Sequence, residues 1–468
     1  MKSFISFVFL FCTLSLDAAT IKVGVSSAGS GNGSDWNNKA GWSALTFVRG
    51  NVYELEDGSY PTKAYTTATS STQTITIRKA IPSNQVGVAG WSDSMGDGQA
   101  LIACPVLIKS DYWIFDGVTR TTGETGYGLV IDNHTAPVTN SCILLGDTSP
   151  SSAAHCTFRY VEVYGSGRTN DTIQDDGIVT ANSGGSTDVT IQFCYFHDFD
   201  ATAMAFRNTS NILIEDTVLK RNDSTPINHA EGIVVAATAG FTLRRSKVSD
   251  MEGTAGLATP YAGTHTCSNI AIYSCVFESP STPLREAAGA AISIFGCTVN
   301  GYCYIVGNTF VGFQSSKYTG ATDYKTTNGS ITVGVGQSTT VANLVIQDNI
   351  WVLCEQIINP GVDANATLTS FTWSHNGYYS TTSTADPDAT HKQIFGSNPI
   401  PNWTSGNYAL AFATTAGAIL SSPYNTDFAG ATRGADGVWD RGAYEYSAGG
   451  GNPSATVTSL SVDNLILP

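Results

Sequence analysis

The segment Thr190-Ile-Gln-Phe-Cys194-Tyr-Phe196 decides the fold, because its order of apolar and small positions recurs along the chain. Two close copies are Leu213-Ile-Glu-Asp-Thr217-Val-Leu219 and Thr242-Leu-Arg-Arg-Ser246-Lys-Val248. From Val161 onward the small position recurs after 33, 23, 29, 29, 33, 41 and 27 residues. This spacing fits stacked coils of roughly twenty residues with loop insertions, whereas a sandwich or barrel would show turn signals every ~8–12 residues. The residues at the small position are Gly117, Val161, Cys194, Thr217, Ser246, Cys275, Asn308, Asn349 and Asn376.

A third short strand follows the bend and the next turn of each coil, as in Asp176-Gly-Ile-Val179 and Glu231-Gly-Ile-Val234. A coil cannot bury its inner face alone, so we expect neighbouring coils to stack with like residues over like. Apolar residues of the repeat should then point inward. The sequence therefore predicts an all-β solenoid with three strands in each coil. The residues expected inside are Ile191, Phe196, Ile214 and Leu219.

The small position is expected to lie in a tight bend between two strands. Asn tolerates the left-handed backbone conformation, and its amide can bond the next Asn along the stack. Asn308, Asn349 and Asn376 therefore predict an asparagine ladder, with Cys194 and Cys275 filling the same column as thiols.

Composition and charge narrow the function. Charged residues make up only 13% of the 468 residues, Gly is abundant at 47, and the net charge is −15. Bulk charge of this sign argues against binding nucleic acid or an anionic membrane. An acidic polysaccharide would need a local basic patch.

The N-terminus has the pattern of a signal peptide, with Lys2, the apolar run Phe4 to Leu16 and the small residues Ala18 and Ala19. We therefore expect residues 1–19 to be removed and the protein to be secreted, without membrane insertion and as a monomer. Nine of the ten cysteines would remain. Their spacing indicates buried small hydrophobes rather than a disulfide framework or zinc site.

The rest of the chain divides by composition. We expect a cap and the first coils over 20–110, central coils over 111–380, closing loops over 381–447 and a linker with a short tail over 448–468.

With these features the chain resembles the bacterial right-handed parallel β-helix proteins of the pectate-lyase-like superfamily. The resemblance rests on Arg49-Gly-Asn-Val-Tyr-Glu-Leu-Glu-Asp-Gly-Ser-Tyr60, on the repeated coils and on Asp440-Arg-Gly-Ala-Tyr-Glu-Tyr446. It implies a single-stranded right-handed parallel β-helix and a polysaccharide partner. Members include lyases, hydrolases, epimerases and adhesins, so the fold does not choose an activity. In this family the sugar usually lies beside the strand after the long turn, which here begins at Asp176 and Glu231.

Stacking brings one group of candidate residues together around these strands. Asp175, Asp176 and Glu231 offer oxygen ligands on adjacent coils, which suits Ca²⁺ as a candidate cofactor. The same carboxylates could serve as the acid and base of a glycosidase. Turn chemistry at strand starts is the competing interpretation for Asp176 and Glu231.

A second group offers the chemistry of a lyase. Elimination from a uronate needs a base for the proton beside the carboxylate and a cation that binds the carboxylate. Lys220 or His229 could be the base, and Arg207 or Arg221 the carboxylate partner. His197 and Asp200 are candidates for substrate binding. The competing interpretation is a cross-coil ion ladder of Asp198, Arg221 and Asp250, with solvated turn histidines.

The leading hypothesis is an exported polysaccharide lyase that cleaves an acidic polysaccharide by β-elimination. Two alternatives remain at this point. One is a non-catalytic surface or glycan-binding protein, and the other is a glycoside hydrolase with paired carboxylates.

Overall fold

The computed structural model describes residues 18–138, 141–146, 153–167, 173, 175–181, 185–222, 231–252, 255–259, 265–279, 290–314, 330–334, 337–355, 365–381 and 386–447. These residues form a stack of three-strand coils in which all paired strands run parallel, as shown for example by Phe158 opposite Ile191 and Ile191 opposite Ile214. The predicted all-β parallel β-helix is therefore confirmed. The signal-peptide prediction falls almost wholly outside the described residues.

Each coil contributes to three sheets, which we call A, B and C. Sheet A consists of Thr20–Gly24, Ala40–Gly41, Val52–Leu55, Ile75–Lys79, Trp113–Asp116, Thr157–Arg159, Thr187–Gln192, Ser210–Glu215, Ala239–Arg244, His265–Tyr273, Cys297–Val306, Thr339–Val341, Leu344–Gln347, Ala366–Leu368 and Phe371–Ser374.

Sheet B follows sheet A after the bend. It consists of Gly58–Tyr60, Ala100–Ala103, Leu129–Asp132, Val161–Tyr164, Tyr195–His197, Val218–Asn222, Lys247–Met251, Val276–Glu278, Thr309–Val311, Ile350–Val352, Gly377–Tyr379 and Gln393–Ile394.

Sheet C follows the long turns. It consists of Ala64–Tyr65, Val106–Ile108, Ile143–Leu145, Ile178–Thr180, Met204–Arg207, Ile233–Ala236, Ala255–Ala258, Ala290–Ile294 and Ile331–Val333. The described 3-10 turns are Trp36–Asn38, Trp42–Ala44, Pro82–Asn84, Asp93–Met95 and Trp403–Ser405.

The interior is one continuous apolar core that runs along the stack. Ile191, Phe196, Ile214 and Leu219 are fully buried in it, as predicted. Aromatic rings stack from coil to coil near the C-terminal end, with Phe310 and Trp351 at 5.1 Å between ring centroids. Nine cysteines are buried and unpaired in the described residues, which confirms their role as small hydrophobes.

The bend column is confirmed over most of its length. The Cys194 N–H donates to Thr217 Oγ1 at 3.2 Å, and the N–H groups of Asn308 and Asn349 donate to the next Asn side chain at 2.9 Å each. One assignment is wrong. Asp116 pairs with Arg159 and Leu129 with Val161, so Gly117 lies opposite Tyr160, one position before the column, and a loop insertion separates it from Leu129.

The predicted left-handed residue is also shifted by one position. Asn308, Asn349 and Asn376 do not have positive φ, and the residue before each bears it: Gly307 at 62°, Asp348 at 56° and His375 at 53°. The residue before each Asn thus makes the bend in the backbone. The Asn amide points along the stack and bonds the neighbouring coil. The other left-handed residues in this row are Tyr160, Phe193, Asp216, Arg245 and Ser274.

Asn349→Leu should lower the free energy of unfolding by about 2–3 kcal/mol, because it leaves buried polar groups without partners. Asn349 Nδ2 donates to the Ile305 carbonyl at 2.8 Å, and its Oδ1 accepts from Asn308 N at 2.9 Å. Urea unfolding measures the loss. Asn349→Thr should lose less, because Thr217 already serves as an acceptor at this position in another coil. Equal losses for the two variants would contradict a hydrogen-bonding role.

Candidate functional site

The outer face of sheet B carries His197, Lys220 and Arg221 of the second predicted group. Strand register places His197 opposite Lys220, Lys220 opposite Ser249 and Ser249 opposite Glu278. This is the alignment that the repeat predicted. Asp198 follows its strand directly, whereas Arg221 lies inside the strand Val218–Asn222, and both adopt left-handed conformations, with φ of 59° and 58°. The left-handed residue interrupts the alternation of the strand, and the side chains of the consecutive residues Lys220 and Arg221 are both partly exposed.

Arg221 and His197 share a carboxylate. Arg221 Nε and Nη2 donate to the two oxygens of Asp198 at 2.7 Å each. His197 Nδ1 lies 2.6 Å from Asp198 Oδ2, and its Nε2 lies 3.0 Å from Glu162 Oε1. Burial raises the pKa of Asp198, but the hydrogen bonds from Arg221 and His197 outweigh it and hold that pKa well below its usual range. The predicted ion ladder is therefore confirmed for the pair of Asp198 and Arg221.

Lys220 pairs with a residue far away in the sequence. Its Nζ lies 2.6 Å from Glu124 Oε2, and Glu124 belongs to the loop that separates Gly117 from Leu129. Lys247 lies 3.7 Å from the same carboxylate and 3.5 Å from Glu278. Burial raises the pKa of Glu124, but Lys220 and Lys247 outweigh it, so the pKa is lowered overall. The loop 118–128 thus forms a wall of this face.

Aromatic rings line the same face toward the N-terminal end. His134 stacks on Tyr164 at 4.3 Å between centroids, and Tyr164 stacks on His197 at 4.4 Å. Tyr195 lies against His197 at 4.0 Å. Tyr127 from the loop wall joins Tyr195 in a small apolar cluster with Val218. We call the face that carries Glu124, Tyr164, His197, Lys220 and Arg221 the sheet B site.

The other predicted group lies on a different sheet. Ile178, Met204 and Ile233 are paired in sheet C, so Asp176, Thr202 and Glu231 form one column at the strand starts. The strand Ala255–Ala258, which the sequence comparison missed, follows Glu231 in the stack, and Ala290 comes after it. Asp176 and Glu231 are therefore two coils apart, as predicted, but they do not share a sheet with Lys220.

Asp175 is a structural carboxylate. It is fully buried, and it accepts hydrogen bonds from Ser166 N at 2.7 Å, Ser166 Oγ at 2.8 Å, Asn133 Nδ2 at 2.8 Å and Asp200 N at 3.1 Å. These donors come from three successive coils. Asp175 thus fastens the long turns between sheets B and C, and its oxygens face protein donors instead of solvent.

The remaining predicted residues have varied surroundings. Asp200 is fully buried in the turn between Tyr195–His197 and Met204–Arg207, which does not suit contact with a substrate. Arg207 is the last residue of its sheet C strand, and its positive charge acts to lower the pKa of Asp176. Glu231 is buried at the start of its strand. His229 lies outside the described residues.

The carboxylates do not fit the Ca²⁺ site that the sequence suggested. Asp175 is saturated by protein donors, and Asp176 Oδ1 already accepts from Thr202 N at 3.0 Å. In the part of the chain that the structure describes, Asp175, Asp176 and Glu231 do not converge as a group of three ligand atoms. These three carboxylates therefore do not form a cluster of oxygen ligands in the described residues.

Asp176 should make stability depend on pH. Burial raises its pKa from 3.8 to about 6, while the Thr202 N–H and Arg207 oppose the shift. Because the folded-state pKa is the higher one, the stabilisation is complete below the unfolded value and is lost as the pH rises through about 6. Asp176→Asn should therefore stabilise the protein by about 3 kcal/mol at neutral pH and little at pH ~4.

Thermal unfolding of both proteins between these pH values measures the effect. Asp436→Asn is the control, because Asp436 also accepts a backbone N–H, from Val438 at 2.9 Å, but is exposed. A gain from Asp176→Asn that is the same at acidic and neutral pH would contradict the ionisation argument.

Three residues on or beside the sheet B site were not predicted from the sequence. Glu162 and Tyr164 lie on the strand before His197, and the repeat could have found them by extending the column one coil back. Glu124 could not have been found in this way, because it comes from a loop insertion whose path over sheet B is a tertiary feature.

Comparison with known proteins agrees with this architecture. The family model "Right handed beta helix region" matches residues 141–343. No curated protein matches the chain. Within the described residues no helix is both long and apolar enough to span a membrane.

Solved structures with a similar fold include the pectate lyase Pel9A, at 12% identity and a TM-score of 0.42, with 92% of this chain and 97% of that chain covered. A variant of the PL6 family alginate lyase AlyGC has 11% identity and a TM-score of 0.42, over 79% of this chain and 53% of that chain. The A-module of the Azotobacter vinelandii mannuronan C-5 epimerase AlgE6 has 11% identity and a TM-score of 0.35, over 74% and 89%. At these identities the likeness concerns the fold alone.

Proposed function

Because the chain is a right-handed parallel β-helix with a polar, aromatic-lined outer face, we propose that it is an exported carbohydrate-active protein that cleaves an acidic polysaccharide by β-elimination. One observation carries the proposal: the consecutive residues Lys220 and Arg221 of sheet B are both partly exposed, at 24% and 30% of their side chains, next to His197. An amine and a guanidinium on consecutive residues supply the two groups that elimination from a uronate requires, a base and a cation for the carboxylate.

Arg221 is suited to hold the uronate carboxylate. Its Nε and Nη2 are fixed by Asp198, so the guanidinium keeps one orientation and can offer its remaining edge to the substrate. Charge that develops on the carboxylate during proton removal would be stabilised there. Asp198 acts through Arg221 as a positioning residue.

Lys220 is the proposed base. As the neutral amine it removes the proton from the carbon beside the carboxylate, a C=C bond forms, the bond to the leaving glycosidic oxygen breaks, and that oxygen takes up the proton from the Lys220 ammonium that has formed. In the free protein Glu124 holds the Lys220 amine at 2.6 Å. Substrate entry must separate this pair, so the loop 118–128 has to move away from Lys220 when the polysaccharide binds.

A second candidate function is glycan binding without cleavage. Each of the three cations Lys220, Arg221 and Lys247 is paired with a carboxylate, so the face is not the basic patch that an acidic polymer would favour. The ring of Tyr164, which is half-buried and stacks on His197, offers a sugar contact that needs no charge, whereas His197 and Tyr195 are buried beneath this face.

A hydrolase with Asp176 and Glu231 is the third candidate. Two coil steps of ~4.8 Å separate their strands by about 9.6 Å, just beyond the inverting range of ~6.5–9.5 Å. The raised pKa of Asp176, to about 6, is the kind of shift that a general acid needs.

Incubation of the purified protein with alginate, pectate and glycosaminoglycans, with and without added Ca²⁺, separates the three. We expect ultraviolet absorbance from unsaturated products on at least one uronate polymer. New reducing ends without absorbance would indicate the hydrolase, and binding without either product would indicate the glycan-binding protein. No unsaturated product from any of the polymers would rule out the lyase.

A further inference from the structure

The C-terminal end of the stack brings two imidazoles and a carboxylate together. Sheet B register places Gln393 opposite Gly377, so His391 lies opposite His375 in the next coil position. The two rings stack at 4.4 Å between centroids with an angle of 17°. Asp388, from the loop between them, completes the group. One ligand atom from each of the three residues lies within 4.8 Å of the other two.

Asp388 is held in place by the backbone. Its Oδ1 accepts from Thr390 N and His391 N at 3.0 Å each, and its Oδ2 accepts from His375 N at 3.3 Å. His391 Nδ1 lies 3.1 Å from Asp388 Oδ2. The carboxylate therefore links the last bend of the stack to the loop that follows it.

His375 Nδ1 is buried and has no hydrogen-bond partner among the described residues. A buried polar atom without a partner destabilises the folded state, and such atoms are uncommon in native proteins. In the described part of the chain, this is the group whose His, Cys, Asp and Glu atoms converge in a set of three. The same group thus contains both a buried nitrogen without a hydrogen-bond partner and a convergent set of three possible metal ligands.

We propose that His375, Asp388 and His391 form a binding site for a divalent transition metal of the Zn²⁺ class. Two imidazole nitrogens with one carboxylate oxygen suit Zn²⁺, whereas Ca²⁺ and Mg²⁺ prefer oxygen ligands alone. A tetrahedral ion with bonds of about 2.0–2.1 Å needs ligand atoms about 3.4 Å apart. The side chain of His391 is 52% exposed and can make the required adjustment, while Asp388 is fixed. Water would complete the coordination.

The site has a structural consequence that does not depend on the reaction at sheet B. Among the described residues, the strand Gln393–Ile394 is the last strand of sheet B, and the closing segment continues from it. An ion held by His375 on the last full coil and by Asp388 and His391 on the next loop would fasten that loop to the end of the stack. Because the ion binds the folded state, it would raise the melting temperature.

Isothermal titration of tag-free, chelator-treated protein with ZnCl₂ tests the proposal, together with the visible spectrum after loading with Co²⁺. We expect binding of one ion, a higher melting temperature with Zn²⁺ and no response to Ca²⁺. His391→Ala should weaken binding by more than about tenfold and abolish the Zn²⁺-dependent rise in melting temperature. Because His391 is exposed, this variant should fold, which far-ultraviolet circular dichroism checks.

His155→Ala is the matched control. His155 also pairs with an aspartate, Asp188 at 3.3 Å, and stacks on a ring, Tyr112 at 4.5 Å, but it lacks a second imidazole. It should leave Zn²⁺ binding unchanged. The absence of Zn²⁺ binding, or binding that His391→Ala and Asp388→Asn leave intact, would overturn the proposal.

Discussion

Lys220→Ala is expected to reduce the rate of β-elimination by about 10²–10⁴-fold, which is the usual contribution of a positioned general base. The loss should appear in kcat, because Lys220 contacts the proton that is transferred and the binding cation Arg221 stays in place. Initial rates of ultraviolet absorbance on the polymer that the wild-type protein cleaves measure the effect. Arg221→Ala should instead raise KM and lower kcat together, because its contact with the carboxylate exists before and during proton removal.

Each of these two variants has a matched control, at a residue elsewhere in the chain that makes a similar ion pair. Lys39 bonds Glu56 at 2.6 Å, as Lys220 bonds Glu124, and Arg159 bonds Asp116 at 2.8 Å with 32% of its side chain exposed. Lys39→Ala and Arg159→Ala should leave the rate unchanged. If Lys220→Ala retained the wild-type rate, Lys220 would not be the base, and equal losses in Lys39→Ala would indicate a general effect of breaking an ion pair.

The coil architecture could be predicted because the same physical requirement recurs in each coil. Inward residues such as Ile191 and Leu219 and the bend column from Cys194 to Asn376 all follow from stacking like over like. The errors have a local cause. Gly117 was misplaced because a loop insertion interrupts its coil, and Ala255–Ala258 was missed because a strand of small residues carries little periodic signal.

The candidate site could be predicted only in part. The column of His197, Lys220, Ser249 and Glu278 follows from the repeat, since register carries side chains from coil to coil. What each side chain meets does not follow from it. The burial of Asp175 depends on Asn133 and Ser166 in the long turns, and the Lys220 partner comes from a loop 96 residues away in the sequence. The repeat therefore predicts columns, whereas loops decide which members of a column are available to a ligand.

The closing motif that the sequence comparison noted has a definite structural role. Arg441 Nη1 donates to the Asn376 carbonyl at 3.0 Å, at the last rung of the asparagine ladder. Gly442 N donates to the Asp348 carbonyl at 2.6 Å with a φ of 86°, a conformation that favours glycine. The motif thus seals the bend row where the ladder ends. Arg433, eight residues before Arg441, donates hydrogen bonds to two carbonyl groups of the motif.

Arg433→Met should destabilise this end of the stack by about 3–5 kcal/mol, the usual effect of removing one partner from a buried charged network. Arg433 is buried, its Nη1 donates to the Asp440 carbonyl at 3.0 Å, and its Nη2 donates to the Gly442 carbonyl at 2.7 Å. Burial lowers the pKa of Arg433, and nearby carboxylates such as Asp427 and Glu445 oppose the shift. Methionine fills a similar volume but leaves those carbonyls and carboxylates without their cation.

Because coils of a solenoid contact only their neighbours, the loss should be local before it is global. Limited proteolysis should therefore cut Arg433→Met within residues 396–447 faster than the wild-type protein, and the melting temperature should fall. Arg78→Met is the matched control, since Arg78 is half-buried, lies 3.5 Å from Asp116, and leaves Asp116 with Arg159 as a partner. Its stability should fall by no more than about 1 kcal/mol. Proteolysis of Arg433→Met that starts in the central coils instead would show that the closing segment does not depend on this guanidinium.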